Sequence, residues 1–159
     1  MKIALIAAAI SLAVSSPKVS PVVRPATEFS WQQTGGAAKS LKSLRGQPVV
    51  LIIAKSASAG DFNAQIKKLR PLYQRFAERK TIFIAALQDA GGQVKSDIPF
   101  SLAVNGAEVA GAYGATKGFA LVVIGKDGNV DLQTTRITPA QFVLDVITNS
   151  YAAQVEGRK

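Results

Sequence analysis

The 159-residue chain contains no cysteine and no histidine. Without cysteine there is no disulfide, no thiolate nucleophile, no CxxC redox pair and no thiolate zinc site. Without histidine there is no Ser-His-Asp triad, no imidazole metal ligand and no side chain with an unperturbed pKa near neutrality. Acid is scarce as well, with 10 Asp+Glu against 19 Lys+Arg and a formal net charge of +9. The acids are dispersed. Asp89 and Asp97 share a loop, and Asp127 and Asp131 flank a turn. Neither spacing supplies the paired carboxylates of glycosyl hydrolysis or the ligand count of a calcium site. The expectation is a protein that is not an enzyme and uses no cofactor and no metal. Aromatics, 7% of the chain, are not interleaved with the basic residues. That argues against stacking on single-stranded nucleic acid, so no specific nucleic-acid partner is expected.

What is present is a hydrophobic fraction of 48% with 18% charged residues, the composition of a packed domain and not of a disordered chain. Residues 1–15 read as a signal peptide. Lys2 gives a positive start, residues 3–14 form an apolar run, and Ala13-Val14-Ser15 offers small residues for cleavage. The run is shorter than the ~20 residues a membrane span requires. The alternative is a buried N-terminal element. Cleavage would leave a net charge of +8 and place the domain in the periplasm or outside the cell. A chain of this charge attracts polyanions.

Residues 16–37 read as a Pro-rich linker, with Pro17, Pro21 and Pro25 at four-residue spacing and Gly35-Gly36 at the close. Phe29 and Trp31 leave room for a short edge strand there. Residues 38–150 read as the domain, and 151–159 as a C-terminal tail. Residues 38–44 suit one or two helical turns. Residues 48–54 (PVVLIIA) suit a strand buried on both faces. Over 61–79, Phe62, Ile66, Leu69, Tyr73 and Phe76 make one apolar helical stripe. Pro71 kinks that helix or splits it in two. Residues 80–87 and 118–124 suit two more buried strands, with a short apolar segment at 99–102 and a helix over 107–113. Asp127-Gly128 turns the chain into a fourth strand over 130–135. Thr138 reads as the cap of a last helix with Pro139 at its first position and Gln141 reaching back. Phe142, Val143, Val146 and Ile147 would form that helix's inner face. The order strand, helix, strand, helix, strand, strand, helix implies an α/β fold with a mixed sheet and helices on both faces.

Three stretches carry a family resemblance. Residues 44–51 (LRGQPVVL) resemble the peroxiredoxin entry into the first core strand. Residues 98–114, through Pro99, Asn105-Gly106, Glu108-Val109-Ala110 and Tyr113-Gly114, are similar to the peroxiredoxin "F-P-L-L-x-D-x-x-G-E-V-A-x-x-Y-G" segment. Residues 124–130 (IGKDGNV) resemble its hairpin. Gly118-Phe119 followed by residues 122–128 is also similar to the signature of DUDES-type exported domains of unassigned function. The resemblance implies a thioredoxin-like (peroxiredoxin-like) three-layer sandwich. It also marks two departures. Where peroxiredoxins place a cysteine at the head of the long helix, this chain has residues 55–61 (KSASAGD). Where thioredoxin-like redox proteins place a proline before the third strand, it has residues 116–119 (TKGF).

Two surfaces are candidates for function. Lys55, Ser56, Ser58 and Gly60, with Arg136 after the fourth strand, could form an anion or ligand cleft at a helix N-terminus. Against this stand an ordinary polar loop capped by Asp61 and a solvated arginine. Lys67, Lys68, Arg75, Arg79 and Lys80 could form a polyanion-binding face, or simply a solvated one. The expected function is an exported, redox-inactive binding module whose partner is an envelope or extracellular protein or an anionic polymer. The alternatives are a thiol-independent enzyme or subunit of a peroxiredoxin-type system using Ser58, Lys55 or Arg136, and a polyanion-binding basic protein.

Overall fold

The computed structural model describes residues 24–89 and 93–150. The expected signal, the first part of the Pro-rich stretch, Gly91-Gly92 and the C-terminal tail lie outside the described residues. In chain order the elements are β1 (Ser30–Gln32), β2 (Lys39–Ser40), a 3-10 turn (Leu41–Leu44), β3 (Val49–Ala54), α1 (Gly60–Leu69), a 3-10 turn (Arg70–Leu72), α2 (Tyr73–Glu78), β4 (Ile82–Leu87), β5 (Phe100–Ala103), α3 (Gly106–Ala112), β6 (Ala120–Ile124), β7 (Val130–Thr134) and α4 (Ala140–Thr148). The seven strands make one sheet in the order β2-β1-β5-β4-β3-β6-β7.

β3 organises the rest. All six of its residues are buried. It pairs in parallel with β4 and antiparallel with β6, which produces the expected mixed sheet. Side chains alternate across a strand, so an unbroken apolar run demands cover on both faces. Val50, Ile52 and Ala54 pack with Phe62, Ile66 and Leu69 of α1, Phe76 of α2 and Val143, Leu144 and Ile147 of α4. Val49, Leu51 and Ile53 pack on the other face with Trp31, Leu41, Leu44 and the α3 residues Val109 and Ala110. The expected three-layer arrangement follows.

Several local expectations are corrected or made definite. Part of the stretch read as a linker belongs to the sheet: β1 pairs with β5 and β2, and Pro25 bridges to Asn129. Trp31 supplies the reason, since its side chain is buried under the Leu41–Leu44 turn and its indole N–H donates to the Ser40 carbonyl at 3.0 Å. The apolar segment near residue 100 is a true strand, β5, pairing in parallel with β4. The long helical stripe keeps its buried face but not its continuity. Pro71 has no N–H to donate, and residues 70–72 tighten into a 3-10 turn between α1 and α2. In α4 the buried positions are Ala140, Val143, Leu144 and Ile147, one helical face, while Phe142 points away and is 51% exposed. Thr138 does not cap α4. Its hydroxyl donates to the Arg136 carbonyl, Pro139 is the cap residue, and Gln141 donates to Asp145. The hairpin is as expected, with Gly128 at φ +82° and its N–H donating to Gly125.

One buried polar clamp locks the α1 layer. Gln65 on α1 is fully buried. Its amide nitrogen donates to the Thr138 carbonyl and its amide oxygen accepts the Thr138 N–H, both at 2.8 Å. It thereby satisfies both backbone groups of a residue that opens α4. Gln65→Ala would strand that buried pair, and a loss of about 2–4 kcal/mol is expected. Urea unfolding followed by the fluorescence of Trp31, the single tryptophan, measures it.

The hairpin carries a pH-dependent term. Partial desolvation first, and then the Asp127 charge, push the Asp131 carboxyl, on a residue still open to solvent, up from 3.8 to about 6. Between those values the folded chain holds a proton that the unfolded chain has released. Stability from this group is therefore complete at the acidic side and falls as pH rises toward 6. Asp131→Asn is expected to raise Tm at pH 7 and to flatten the Tm profile between pH 4 and 6. An unchanged profile would contradict the assignment.

Candidate functional site

The carboxyl ends of β3 and β4, with the loop entering β6, form one rim of the molecule. In parallel α/β sheets this rim is where ligands sit. Backbone bonds hold it together: Gln88 N–H donates to the Ala54 carbonyl at 3.0 Å and Asp89 N–H to the Lys55 carbonyl at 2.8 Å. The Gln88 side chain then reaches across to the carbonyls of Ala115 and Gly118, at 3.4 and 3.3 Å. The loops after β3 and β4 and the loop before β6 are thus one connected unit.

Within it, Lys55 and Ser58 are exposed and Ser56 is half-buried. The Ser56 and Ser58 hydroxyls face each other at 3.1 Å. Asn63 steadies the loop by donating to the Ala57 and Ala59 carbonyls, at 3.3 and 3.1 Å. No side chain caps α1 at Ala59. Asp61 instead accepts the Phe62 N–H at 2.8 Å, placing a carboxylate on the first turn beside the exposed Gly60. That charge favours the helix dipole and opposes an outside anion. A serine pair at this position offers hydrogen bonds. Its hydroxyls lack the low pKa and the polarisable sulfur on which thiol chemistry depends.

Among the described residues, Arg136 forms no bond to the loop it was expected to face. It is exposed, its N–H donates to the Thr134 hydroxyl and its carbonyl accepts from Thr138. Among the described residues its guanidinium makes no hydrogen bond to Lys55, Ser56 or Ser58. The clamp between Gln65 and Thr138 holds the Arg136 segment to α1 at a residue inside the helix, beyond its first turn. Sequence reasoning missed the neighbouring cleft of about 250 Å³, whose walls include Gln88, Asp89, Asn105 and Gly106. Asn105 caps α3 by accepting the Glu108 N–H at 3.2 Å, a signal legible in the Asn-Gly-Ala-Glu spacing. Gly106 is required here: a Cβ would lie 1.9 Å from the Leu87 carbonyl oxygen.

Of the basic face, Lys67, Lys68, Arg75 and Lys80 are exposed and Arg79 is half-buried. The structure separates their roles. Arg75 donates to Gln141 at 3.5 Å and Arg79 to Thr148 at 3.1 Å, so both lean on α4. Among the described residues no group of three or more Cys, His, Asp or Glu side chains comes together as a metal site, and no helix is long and apolar enough to cross a membrane.

Comparison with solved structures gives consistent fold matches at low identity. A thiol:disulfide interchange protein from Bacteroides sp. is 13% identical with a TM-score of 0.64, covering 86% of this chain and 97% of its own. The peroxidoxin BcpB from Mycobacterium tuberculosis is 18% identical at 0.61, covering 80% and 96%. The pneumococcal exposed lipoprotein thioredoxin Etrx1, from Streptococcus pneumoniae strain TIGR4, is 13% identical at 0.59, covering 77% and 98%. These likenesses establish the thioredoxin-like fold. Comparison with curated proteins finds no match. The family model described as "AhpC/TSA family" matches residues 22–146, most of the chain, and so the protein belongs to the AhpC/TSA family.

Proposed function

We propose that this chain is an exported, redox-inactive member of its family that works as a binding module in the cell envelope or extracellular space. The observation that carries the reading is the rim loop itself. The position from which relatives attack a peroxide or disulfide holds Ser56 and Ser58, bonded to each other, in a chain with no sulfur nucleophile anywhere. The scaffold around that position is maintained by the Gln88 and Asn63 bonds. Export is supported by the first fifteen residues, by the similarity of residues 118–128 to DUDES-type exported domains, and by a fold match named as an exposed lipoprotein thioredoxin. The partner meets the rim formed by Lys55, Ser56 and Ser58 and the cleft beside Gln88 and Asp89.

A photocrosslinking residue at Ser58 is expected to capture one defined envelope partner, while the same residue at Gln74, exposed on α2, captures none. Equal capture from both positions counts against the rim as the binding surface. Purified protein is expected to consume peroxide and reduce insulin at buffer rates. Turnover above buffer that disappears in Ser58→Ala would instead establish the thiol-independent enzyme.

A second reading, polyanion binding, rests on the α1–α2 face. Among the described residues none of its five cations forms an ion pair with a carboxylate; the pair found nearby is Arg70–Asp97 at 3.4 Å. Because Arg75 and Arg79 also hold α4, the clean test is the Lys67→Ala/Lys68→Ala variant. Heparin retention is expected to weaken with salt and to fall in that variant. Unchanged elution removes the reading.

A further inference from the structure

Three irregularities meet at the other end of the strands, away from the rim. The first is backbone conformation. Lys80 has φ +57°, the one non-glycine residue with positive φ among the described residues. It follows α2 in a Schellman-type ending, where Lys80 N–H donates to the Ala77 carbonyl at 2.9 Å and Thr81 N–H to the Phe76 carbonyl at 3.1 Å. Glycine is the favoured residue at that position, because a Cβ makes the left-handed conformation unfavourable. Lysine is kept there nonetheless.

The second is a buried hydroxyl. Thr81, next in the chain, is only 8% exposed, and its Oγ1 is the one buried side-chain polar atom without a partner among the described residues. Such groups are rare, and each calls for a physical reason. The third is space. Lys80 and Thr81 both line a cleft of about 490 Å³ between α2 and the amino ends of β4 and β5. Tyr73 and Phe100, both half-buried, give it an aromatic wall backed by the buried Phe83, and no acidic residue lines it. Lys80 itself forms no ion pair among the described residues.

We infer that this cleft binds a small organic anion with a flat apolar body, the Lys80 ammonium holding the acid group and the Tyr73–Phe100 wall holding the body. The chemistry follows from the lining. One unpaired cation at the mouth selects negative charge, an aromatic wall selects a planar apolar group, and a few convergent polar groups among an apolar lining are what a small-molecule site consists of. The strained lysine acquires a purpose: a residue that would fold better as glycine supplies the charge. This site is independent of the rim, since it lies at the opposite ends of β4 and β5.

The test uses phenylacetate and 4-hydroxyphenylacetate as probes, titrated into ¹⁵N-labelled protein and followed by amide shifts. Saturable shifts centred on Lys80, Thr81, Gln33 and Ser101 are expected, with dissociation constants on the order of millimolar for ligands of this size. Neutral 2-phenylethanol is expected to bind at least tenfold more weakly. Lys80→Gly is the decisive variant, because glycine suits the positive φ and the fold is not at risk. It should keep or raise Tm and weaken both acids at least tenfold. Failure of both acids to give saturable shifts overturns the inference. So does binding that Lys80→Gly leaves unchanged, or shifts spread over the exposed lysines at large.

Discussion

The rest of the molecule depends on the burial of a single strand from both sides. β3 has no polar residue and no free edge. Its two faces each bring together an apolar layer, α1, α2 and α4 on one and Trp31, the Leu41–Leu44 turn and α3 on the other. Removing the Trp31–α3 layer alone would leave Val49, Leu51 and Ile53 in water, each worth about 1.5–3 kcal/mol when fully buried. The chain achieves this without a disulfide, as a cysteine-free domain of this length can. The same strand positions the loop that follows it. Chain leaving a fully paired central strand has its direction fixed by the ladder, so Lys55–Ala59 emerges at the sheet's carboxyl rim.

Fixing the end of a strand does not by itself fix a loop. Two glutamines do that work here. Gln65 binds the segment between β7 and α4 from inside the core, and Gln88 binds the loop before β6 from the rim. Each satisfies backbone groups that no secondary structure supplies with partners. Buried backbone left unpaired is costly enough that such amides are hard to substitute. The rim is therefore held by side chain–backbone bonds, which persist although the sulfur of the family's chemistry is missing.

The sequence was most legible where one physical rule dominated. Buried strands announce themselves through runs such as residues 48–54, and the apolar stripe from Phe62 to Phe76 predicted the packed face of α1 and α2 even where Pro71 broke the helix. It was least legible where partners are distant in the chain. A short strand at Trp31 was legible in its alternation with polar neighbours, but nothing local reveals its pairing with β5, some seventy residues on. Phe142 is as apolar as the core residues beside it, and only the helical phase sets it opposite the face formed by Ala140, Val143, Leu144 and Ile147. Thr138 looked like a cap because Thr-Pro commonly starts a helix. Its N–H and carbonyl are instead taken by Gln65, a pairing across 73 residues. The serine pair was visible as composition, but the meeting of Ser56 with Ser58 and the adjoining cleft were not.

The two ends of the parallel strands now contrast in physical character. At the carboxyl rim, hydrogen bonds are satisfied: the serines pair, Asn63 and Gln88 bind carbonyls, and Asp61 accepts the first-turn N–H of Phe62. That surface is settled and presents shape and polarity to whatever it meets. At the amino ends, a lysine occupies a glycine conformation beside a hydroxyl without a partner. Local rules of folding are obeyed almost everywhere else in the described chain, so two adjacent violations at one cleft point to a constraint other than folding. The family fold here carries satisfied polar groups at one end of its parallel strands and its two irregularities at the other.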